Sequence, residues 1–245
     1  MSAIFIAAIV FAASGLTAQP EPGKQVEQHF VSKANPKLQT GYQLFLPKAY
    51  RAGGKKWPLI LFLHGSGERG TNLDLVKVHG PPKIVDRKPD FPFIVVSPQC
   101  PRGQWWDNKV LTALLDDVIA KYSVNTDQIY LTGLSMGGFG TWSLAAAHPD
   151  RFAAIVPICG GGDPKTADKL KTLPIWVFHG EKDRGVPIAR SREMVSAIRK
   201  AGGNVKFTSY PKLGHNCWTV TYDNPVLYTW LLKQSLAARR KKSGR

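Results

Sequence analysis

A serine flanked by glycines, in the segment 133–137 (Gly-Leu-Ser-Met-Gly), is the clearest sign of chemistry in this 245-residue sequence. The spacing is typical of a nucleophile elbow, in which a serine occupies the sharp turn between a strand and a helix. Strand-like residues precede it at 128–132, and a helix-like stretch follows at 138–148. Glycines suit such a turn, because it leaves no space for larger side chains. Ser135 is therefore predicted to be a nucleophile that forms a covalent intermediate.

A carboxylate and an imidazole follow the serine in chain order. Asp183 comes just after the apolar run 175–178, and His215 lies in a loop after the strand-like residues 205–210. A serine becomes a strong nucleophile when a histidine takes its proton and a carboxylate orients that histidine. Ser135, Asp183 and His215 are therefore the predicted catalytic triad. The alternatives that compete for these roles are Asp163, Asp168 and Glu181 for the acid, and His64 and His179 for the base.

A glycine-rich loop, 64–70 (His-Gly-Ser-Gly-Glu-Arg-Gly), follows the apolar run 59–63. A loop of this kind supplies one backbone N–H to the oxyanion hole of a serine hydrolase, and the residue after the nucleophile supplies the other. The N–H of Met136 is thus one expected donor. The alternative interpretation of the serine segment is a structural serine in a glycine-rich turn.

Together these segments resemble α/β-hydrolases of the carboxylesterase and phospholipase type, near the dienelactone-hydrolase and prolyl-oligopeptidase-like esterases. The resemblance extends from about residue 42 to residue 232, and the segments that carry it are 64–70, 97–101, 133–138, 181–183 and 214–218. It implies the α/β-hydrolase fold and a serine ester hydrolase. By similarity to thioesterase-like hydrolases, the second oxyanion donor would be the N–H of Ser66, with Gly67 as the alternative. The substrate is not implied, because this fold supports many activities.

Alternating strand and helix patterns predict one α/β domain over residues 25–237, with a mostly parallel, doubly wound sheet flanked by helices. Hydrophobic residues make up 43% of the chain, enough for a full core. Strands are predicted at 42–46, 58–63, 93–97, 129–133, 154–158, 174–179 and 205–210, and helices at 110–121, 136–147, 189–201 and 225–237. No insertion is long enough for a large lid domain, which favours an open cleft and small or soluble esters. The triad mechanism requires neither metal nor cofactor, so none is expected.

Aromatic residues near the predicted loops are candidates for substrate binding. Trp105, Trp106 and Trp218 could line a pocket for a short-chain, aromatic or sugar-linked acyl group. Arg69 could bind a substrate carboxylate, or it could instead form an ion pair or a cap within its loop. The small-molecule ester itself is the expected partner.

The first 18 residues have the pattern of a secretory signal peptide, with an apolar core followed by small residues. This predicts a secreted or periplasmic protein, and an uncleaved membrane anchor is the alternative. Three cysteines, Cys100, Cys159 and Cys217, are too few for a disulfide scaffold and lack zinc-ligand spacing. The sequence allows either one disulfide with one free thiol or three buried thiols, and does not decide between them.

The net charge is +16, and the segment 238–245 is a basic tail that we expect to be disordered. Without the five cations at its end the rest of the chain still carries +11, which favours an anionic polymer or membrane surface as a partner. A solvated tail that aids solubility is the alternative. Nothing resembles a motif specific for nucleic acid, and the oligomeric state is left open. Two other functions compete with an esterase: a prolyl-oligopeptidase-like peptidase, and a catalytically silent hydrolase-fold binding protein.

Overall fold

The computed structural model of the chain describes residues 20–242 and residue 244. Within them, eight strands form one sheet in the order β1-β2-β4-β3-β5-β6-β7-β8. β2 is antiparallel to both of its neighbours, and all the other pairs are parallel. The strands are β1 (Gln25–Val31), β2 (Gln39–Phe45), β3 (Trp57–Leu63), β4 (Ile94–Pro98), β5 (Val124–Leu134), β6 (Ala154–Ile158), β7 (Ile175–Gly180) and β8 (Val205–Tyr210).

Helices cover both faces of this sheet, as its continuous apolar strands require. One face packs against α2, α3, α4 and α5, and the other packs against α1, α6, α7 and α8. The bounds are α1 (Gly80–Val85), α2 (Asn108–Lys121), α3 (Met136–Ala147), α4 (Ala167–Leu170), α5 (Ala189–Lys200), α6 (Trp218–Tyr222), α7 (Pro225–Leu232) and α8 (Leu236–Lys242). Short 3-10 helices lie between them, and none of the helices within the described residues is both long and apolar enough to span a membrane.

The predicted fold class is confirmed: the sheet is mostly parallel and doubly wound, and the described residues contain no large lid. Three features differ from the sequence prediction. β1 was missed, because only Gln28 and Phe30 of its residues are buried and the pattern of an edge strand is weak. The stretch 76–92, where the sequence patterns predicted neither a strand nor a helix, contains α1. The helix expected over 225–237 ends at Leu232, and α8 begins at Leu236.

The structure also corrects the expected disordered tail at 238–245, because α8 includes residues 238–242. The physical reason is Arg239, which is only 9% exposed. Its guanidinium donates to the backbone oxygens of Pro149 and Phe152 at 2.7 and 3.1 Å and pairs with Asp150. The predicted signal peptide at 1–18 lies outside the described residues.

Parallel strands place their carboxyl ends at one edge of the sheet, and ligands of open α/β sheets bind in the crevice beyond that edge. The glycine-rich loop follows β3, Ser135 follows β5, Asp183 follows β7 and His215 follows β8. The fold therefore gathers residues that are far apart in the chain at one edge.

Candidate active site

Ser135 occupies a sharp turn between β5 and α3. Its backbone has φ 53° and ψ −117°, a conformation that side-chain-bearing residues rarely adopt. The turn is possible because its neighbours have no side chains: a Cβ on Gly133 would lie 2.3 Å from the oxygen of Gly137, and a Cβ on Gly137 would lie 1.9 Å from the oxygen of Leu63. The segment thus has the geometry of a nucleophile elbow, with the serine at the N-terminus of α3.

The three predicted catalytic side chains form a continuous hydrogen-bonded line. Nε2 of His215 lies 2.9 Å from Oγ of Ser135, and Nδ1 of His215 lies 2.7 Å from Oδ2 of Asp183. The carboxylate is fully buried, whereas 31% of the imidazole is exposed. The alternative acid, Asp163, instead caps a short 3-10 helix through the N–H of Lys165.

Asp183 is surrounded by donors on both of its oxygens. Oδ1 accepts from the N–H groups of Gly185 and Val186, each at 2.8 Å. Oδ2 lies 3.1 Å from Nε2 of His179, in addition to its contact with His215. These contacts fix the direction of the carboxylate that meets His215, and an oriented carboxylate in turn orients the imidazole.

The N–H groups of Met136 and Ser66 are available for an oxyanion. Met136 is the first residue of α3, so its N–H is not used by the helix. Among the described residues neither N–H has a hydrogen-bond partner. The loop is close to the nucleophile, because a Cβ on Gly65 would lie 3.7 Å from the Cβ of Ser135.

The peptide that carries the Ser66 N–H is held in place by a neighbouring side chain. Nδ1 of His64 lies 2.6 Å from the oxygen of Gly65, and Nε2 of His64 accepts from the N–H of Cys100 at 3.0 Å. Nδ1 is therefore the protonated nitrogen of a neutral ring, and burial lowers the pKa of His64 from 6.5 in agreement with this. Since the C=O and N–H of a trans peptide point in opposite directions, fixing the oxygen of Gly65 also fixes the direction of the Ser66 N–H.

Two charged residues of the loop hold the peptide groups on either side of this one. Oε2 of Glu68 accepts from the N–H of Gly65 at 2.9 Å. Arg69 donates from Nε to the oxygen of Ser66 and from one terminal nitrogen to the oxygen of Gln104, each at 3.1 Å. Arg69 thus links two loops, and the binding of a substrate carboxylate by its remaining donors stays a prediction.

The three candidate tryptophans occupy different environments. Trp105 is 64% exposed and packs edge-on against Phe139, with ring centroids 6.0 Å apart. Trp106 packs against His64, and its Nε1 donates to the backbone oxygen of that residue at 3.3 Å. Trp218 packs edge-on against the imidazole of His215 at 5.2 Å. Trp105 is therefore the one of the three that presents a free aromatic surface.

A cleft of about 530 Å³ lies beside α3. It is lined by Trp105, Trp106 and Phe139, and further along by Asp163 and Lys169. Phe139 is one helical turn from Ser135, and the residues that line the cleft do not include Ser135, Asp183 or His215. Its walls combine aromatic rings with a few polar groups, which is typical of a small-molecule site.

All three cysteines are free thiols and are buried. Cys159, Asp183 and His215 offer potential metal-ligand atoms within 4.8 Å of one another. Burial raises the pKa of the Cys159 thiol, so it is a protonated and poor ligand, and the other two groups already bind each other. The set fits a hydrogen-bonded site better than a metal centre.

The sequence patterns presented His179 as an alternative base and did not connect it with Asp183. The structure places it in direct contact with that carboxylate. The signal in the sequence was its position, at the end of a strand and four residues before the candidate acid, which is within reach of a tight turn.

Comparison with known proteins places the chain in a family. The model of the dienelactone hydrolase family matches residues 26–224. The chain belongs to the dienelactone hydrolase family. This confirms the resemblance that the motifs indicate.

Individual relatives are similar in sequence to parts of this chain. A bifunctional acetylxylan esterase/xylanase of Neocallimastix patriciarum is 29% identical over 181 residues, which cover 71% of this chain and 26% of that protein. A carboxylesterase of Arabidopsis thaliana is 28% identical over 134 residues, or 52% of this chain and 58% of the relative. The chain therefore spans about a quarter of the first relative and somewhat over half of the second.

A solved structure of a thermostable esterase is 34% identical in sequence and has a TM-score of 0.74. The match covers 87% of this chain and 64% of that one. The fold is thus shared with an esterase over most of this chain.

Proposed function

We propose that this protein is a serine carboxylesterase that uses Ser135 as nucleophile, His215 as general acid and base, and Asp183 as the group that orients the histidine. The observation that carries the proposal is the unbroken line of hydrogen bonds from Ser135 to His215 to Asp183, at 2.9 and 2.7 Å. Membership of a family of ester hydrolases supports it.

In the first half of the reaction, Oγ of Ser135 attacks the ester carbonyl carbon while Nε2 of His215 removes the hydroxyl proton. The carbonyl oxygen becomes an oxyanion, which the N–H groups of Met136 and Ser66 stabilise. His215 then donates the proton to the leaving alcohol, and an acyl-enzyme remains. Loss of one oxyanion donor costs about 3–4 kcal/mol in sites of this class.

In the second half, water attacks the acyl-enzyme and His215 again acts as the base. The partial exposure of the imidazole, 31%, lets water reach it. Asp183 keeps the imidazole aligned through both halves, because its Oδ2 lies 2.7 Å from Nδ1 of His215.

The proposed substrates are soluble esters with short-chain, aromatic or sugar-linked acyl groups. The exposed ring of Trp105 and the aromatic cleft beside α3 support this choice, since flat rings and sugars stack on such surfaces. One relative is an acetylxylan esterase/xylanase by name, which supports an ester carried on a sugar.

The function is tested by the hydrolysis of p-nitrophenyl esters from acetate to laurate. We expect wild-type activity to be highest for the short chains, because no lid is present within the described residues to shelter a long one. We expect Ser135→Ala to lower kcat by about 10⁴-fold or more, as loss of a triad member does. Equal rates in the mutant and wild type, or no wild-type hydrolysis of any ester in the series, would contradict the proposal.

The role of Trp105 makes a separate prediction. Trp105→Ala should lower kcat/KM for a feruloyl ester by about 10-fold, the loss of one stacking contact, while leaving p-nitrophenyl acetate within two-fold. The matched control is Trp230→Ala, a half-buried indole on the opposite face of the sheet. Equal losses for both esters in Trp105→Ala would remove the idea that its ring binds the acyl group.

We also propose that the protein is secreted or periplasmic and that residues 1–18 are cleaved. The support is the apolar segment followed by small residues. Amino-terminal sequencing of the protein made by its own host tests this, with Gln19 as the expected first residue. A mature chain that begins at Met1 or Ser2 would contradict it.

A further inference from the structure

A buried string of polar groups runs from Asp183 away from the nucleophile. Nε2 of His179 lies 3.1 Å from Oδ2 of Asp183 and 2.9 Å from the backbone oxygen of Val186. Nδ1 of His179 lies 2.8 Å from Oγ of Ser191, which in turn lies 2.9 Å from the oxygen of Gly160. Both side-chain-bearing links, His179 and Ser191, are fully buried.

The partners of His179 determine which of its nitrogens carries a proton. A carboxylate oxygen and a backbone oxygen can only accept, so Nε2 must be a donor. Burial lowers the pKa of His179 from 6.5, so the ring is neutral at pH 7 and Nδ1 is an acceptor. Nδ1 shares the single proton of the Ser191 hydroxyl with the oxygen of Gly160. The imidazole is thereby held at both ends, with its Nε2–H shared between the oxygen of Val186 at 2.9 Å and Oδ2 of Asp183 at 3.1 Å.

We propose that His179 is a positioning residue that donates a second hydrogen bond to Oδ2 of Asp183 and so sets the orientation and the charge of the carboxylate that His215 meets. The inference rests on the proposed function for its kinetic consequence, but its geometric part concerns only Asp183 and His215. His179 would thus be a fourth residue in the hydrogen-bonded line of Ser135, His215 and Asp183, in contact with Asp183.

The charged groups around His215 explain why the contact between His179 and Asp183 should affect the imidazole. Asp183 supplies a full charge from the loop after β7, and Cys159, at the end of β6, contributes a thiol that burial keeps protonated. Trp218, in α6, adds only its ring edge at 5.2 Å. Oδ2 of Asp183 is thus the main source of negative potential at the imidazole, and His179 shares that oxygen.

Removing the second donor should concentrate the charge of Oδ2 on His215. The charged imidazolium then becomes more stable, so His215 should gain its proton at a higher pH than in the wild type. The carboxylate also loses one of its fixed contacts, and the imidazole loses part of its alignment with Ser135. Both effects act on the transition state for proton transfer, so kcat should fall while KM changes little.

The test compares His179→Leu with His179→Gln, whose amide can place an N–H close to the position of Nε2. Tyr130→Phe is the matched control, because it removes a buried side-chain hydrogen bond, to the oxygen of Gln234, on the far side of the sheet. Two quantities are measured for each protein: kcat and KM against pH with p-nitrophenyl acetate, and the His215 ring signals against pH by NMR. The NMR titration requires no turnover, so a failure of the proposed function and a failure of this inference are distinguished.

For His179→Leu we expect kcat to fall by about 10- to 100-fold with KM within about two-fold. We expect the acid limb of the kcat profile and the NMR midpoint of His215 to move together to higher pH, by about 0.5 to 1 unit. His179→Gln should recover most of both quantities, and Tyr130→Phe should change neither.

The inference is overturned if the NMR midpoint of His215 is the same in His179→Leu as in wild type, or if His179→Gln behaves as His179→Leu does. If His179→Leu does not fold, Ser191→Ala carries the same test, because it releases the far end of the imidazole while leaving Asp183 intact. It should shift the NMR midpoint in the same direction by a smaller amount, and an unchanged midpoint there would also overturn the inference.

Discussion

Ser135 is held in a strained backbone conformation by the close packing of its turn against β3. Gly137 sits so near Leu63 that an added Cβ would lie 1.9 Å from the backbone oxygen of that residue. Backbone atoms cannot move aside as the end of a flexible side chain can. The position of Ser135 therefore depends on the absence of a Cβ atom at Gly137.

Gly137→Ala should consequently lose its esterase activity and unfold at a lower temperature, because β3 or α3 must shift to admit the methyl group. Gly53→Ala is the control, since nothing lies within 4 Å of its added Cβ and only its φ of 69° opposes the change. It should keep its activity. Thermal unfolding with p-nitrophenyl acetate assays measures both effects, and a fully active Gly137→Ala would contradict the packing argument.

The sequence was sufficient to select Ser135, Asp183 and His215, because each follows a predicted parallel strand and such strands end at one edge of a sheet. The structure brings these three side chains together. Periodicity could not reveal the contact between His179 and Asp183, which depends on the path of the loop 181–187. Nor could it show that Trp106 packs under the glycine-rich loop while Trp105 faces solvent.

The shape of the glycine-rich loop after β3 is fixed by hydrogen bonds from side chains rather than by backbone hydrogen bonds to a neighbouring strand. His64, Glu68 and Arg69 each bind one backbone group of the segment 65–66. Preorganised donors stabilise an oxyanion without reorganisation during the reaction, so under the proposed mechanism these contacts would serve catalysis without touching the substrate.

Arg69 offers a way to separate loop support from substrate binding. If it only holds the loop, Arg69→Gln should lower kcat by roughly 10-fold with little change in KM, because a displaced donor weakens transition-state stabilisation. The comparison of p-nitrophenyl acetate with an ester that carries a free carboxylate measures the difference. A rise in KM confined to the carboxylate ester would instead assign Arg69 to the substrate.

Helix α8 depends on contacts with residues far away in the chain, which its own sequence does not reveal. Ser235 caps α8 through the N–H of Ala238 at 3.1 Å, and the N–H of Ala237 donates to Asp127 at 2.7 Å. Sequence patterns gave a single helix over 225–237 and a disordered tail, because a run of Arg and Lys resembles a solvated end. Burial of Arg239 against 149–152 could be known only from the fold.

Arg239→Ala should therefore lower the melting temperature, by about 3–8 °C if the charged hydrogen bonds are worth about 1.5–3 kcal/mol. Lys241→Ala is the control, because Lys241 is exposed and on the same helix. Differential scanning calorimetry of the two variants gives the comparison. Equal melting temperatures for both would show that α8 does not stabilise the domain through Arg239.

At the scale of the whole molecule, burial of histidines links stability to pH. His64 and His179 are 1% and 0% exposed, and burial is the largest cause that lowers the pKa of each from 6.5. Below that pH the unfolded chain binds protons that the folded protein does not. Protonation therefore favours unfolding, and stability falls as the pH drops.

We expect the free energy of unfolding to be nearly constant from pH 8 to 7 and to decrease progressively as the pH falls below about 6.5. Urea unfolding at a series of pH values measures it. The slope between pH 6.5 and 5 should be smaller in His179→Gln, which has no ring to protonate. A stability that rises toward pH 5 in the wild type would contradict the assignment of neutral, buried rings.

The central claim is that Ser135 is the nucleophile of an ester hydrolase, and the most direct measurement is the mass of the protein after reaction with a fluorophosphonate ester. The reagent captures a serine only when a neighbouring base activates it. We predict one adduct for each protein molecule, on the peptide that contains Ser135, with loss of esterase activity in proportion and no adduct in Ser135→Ala. An unmodified wild type that still hydrolyses esters, or an adduct on another residue, would contradict the account.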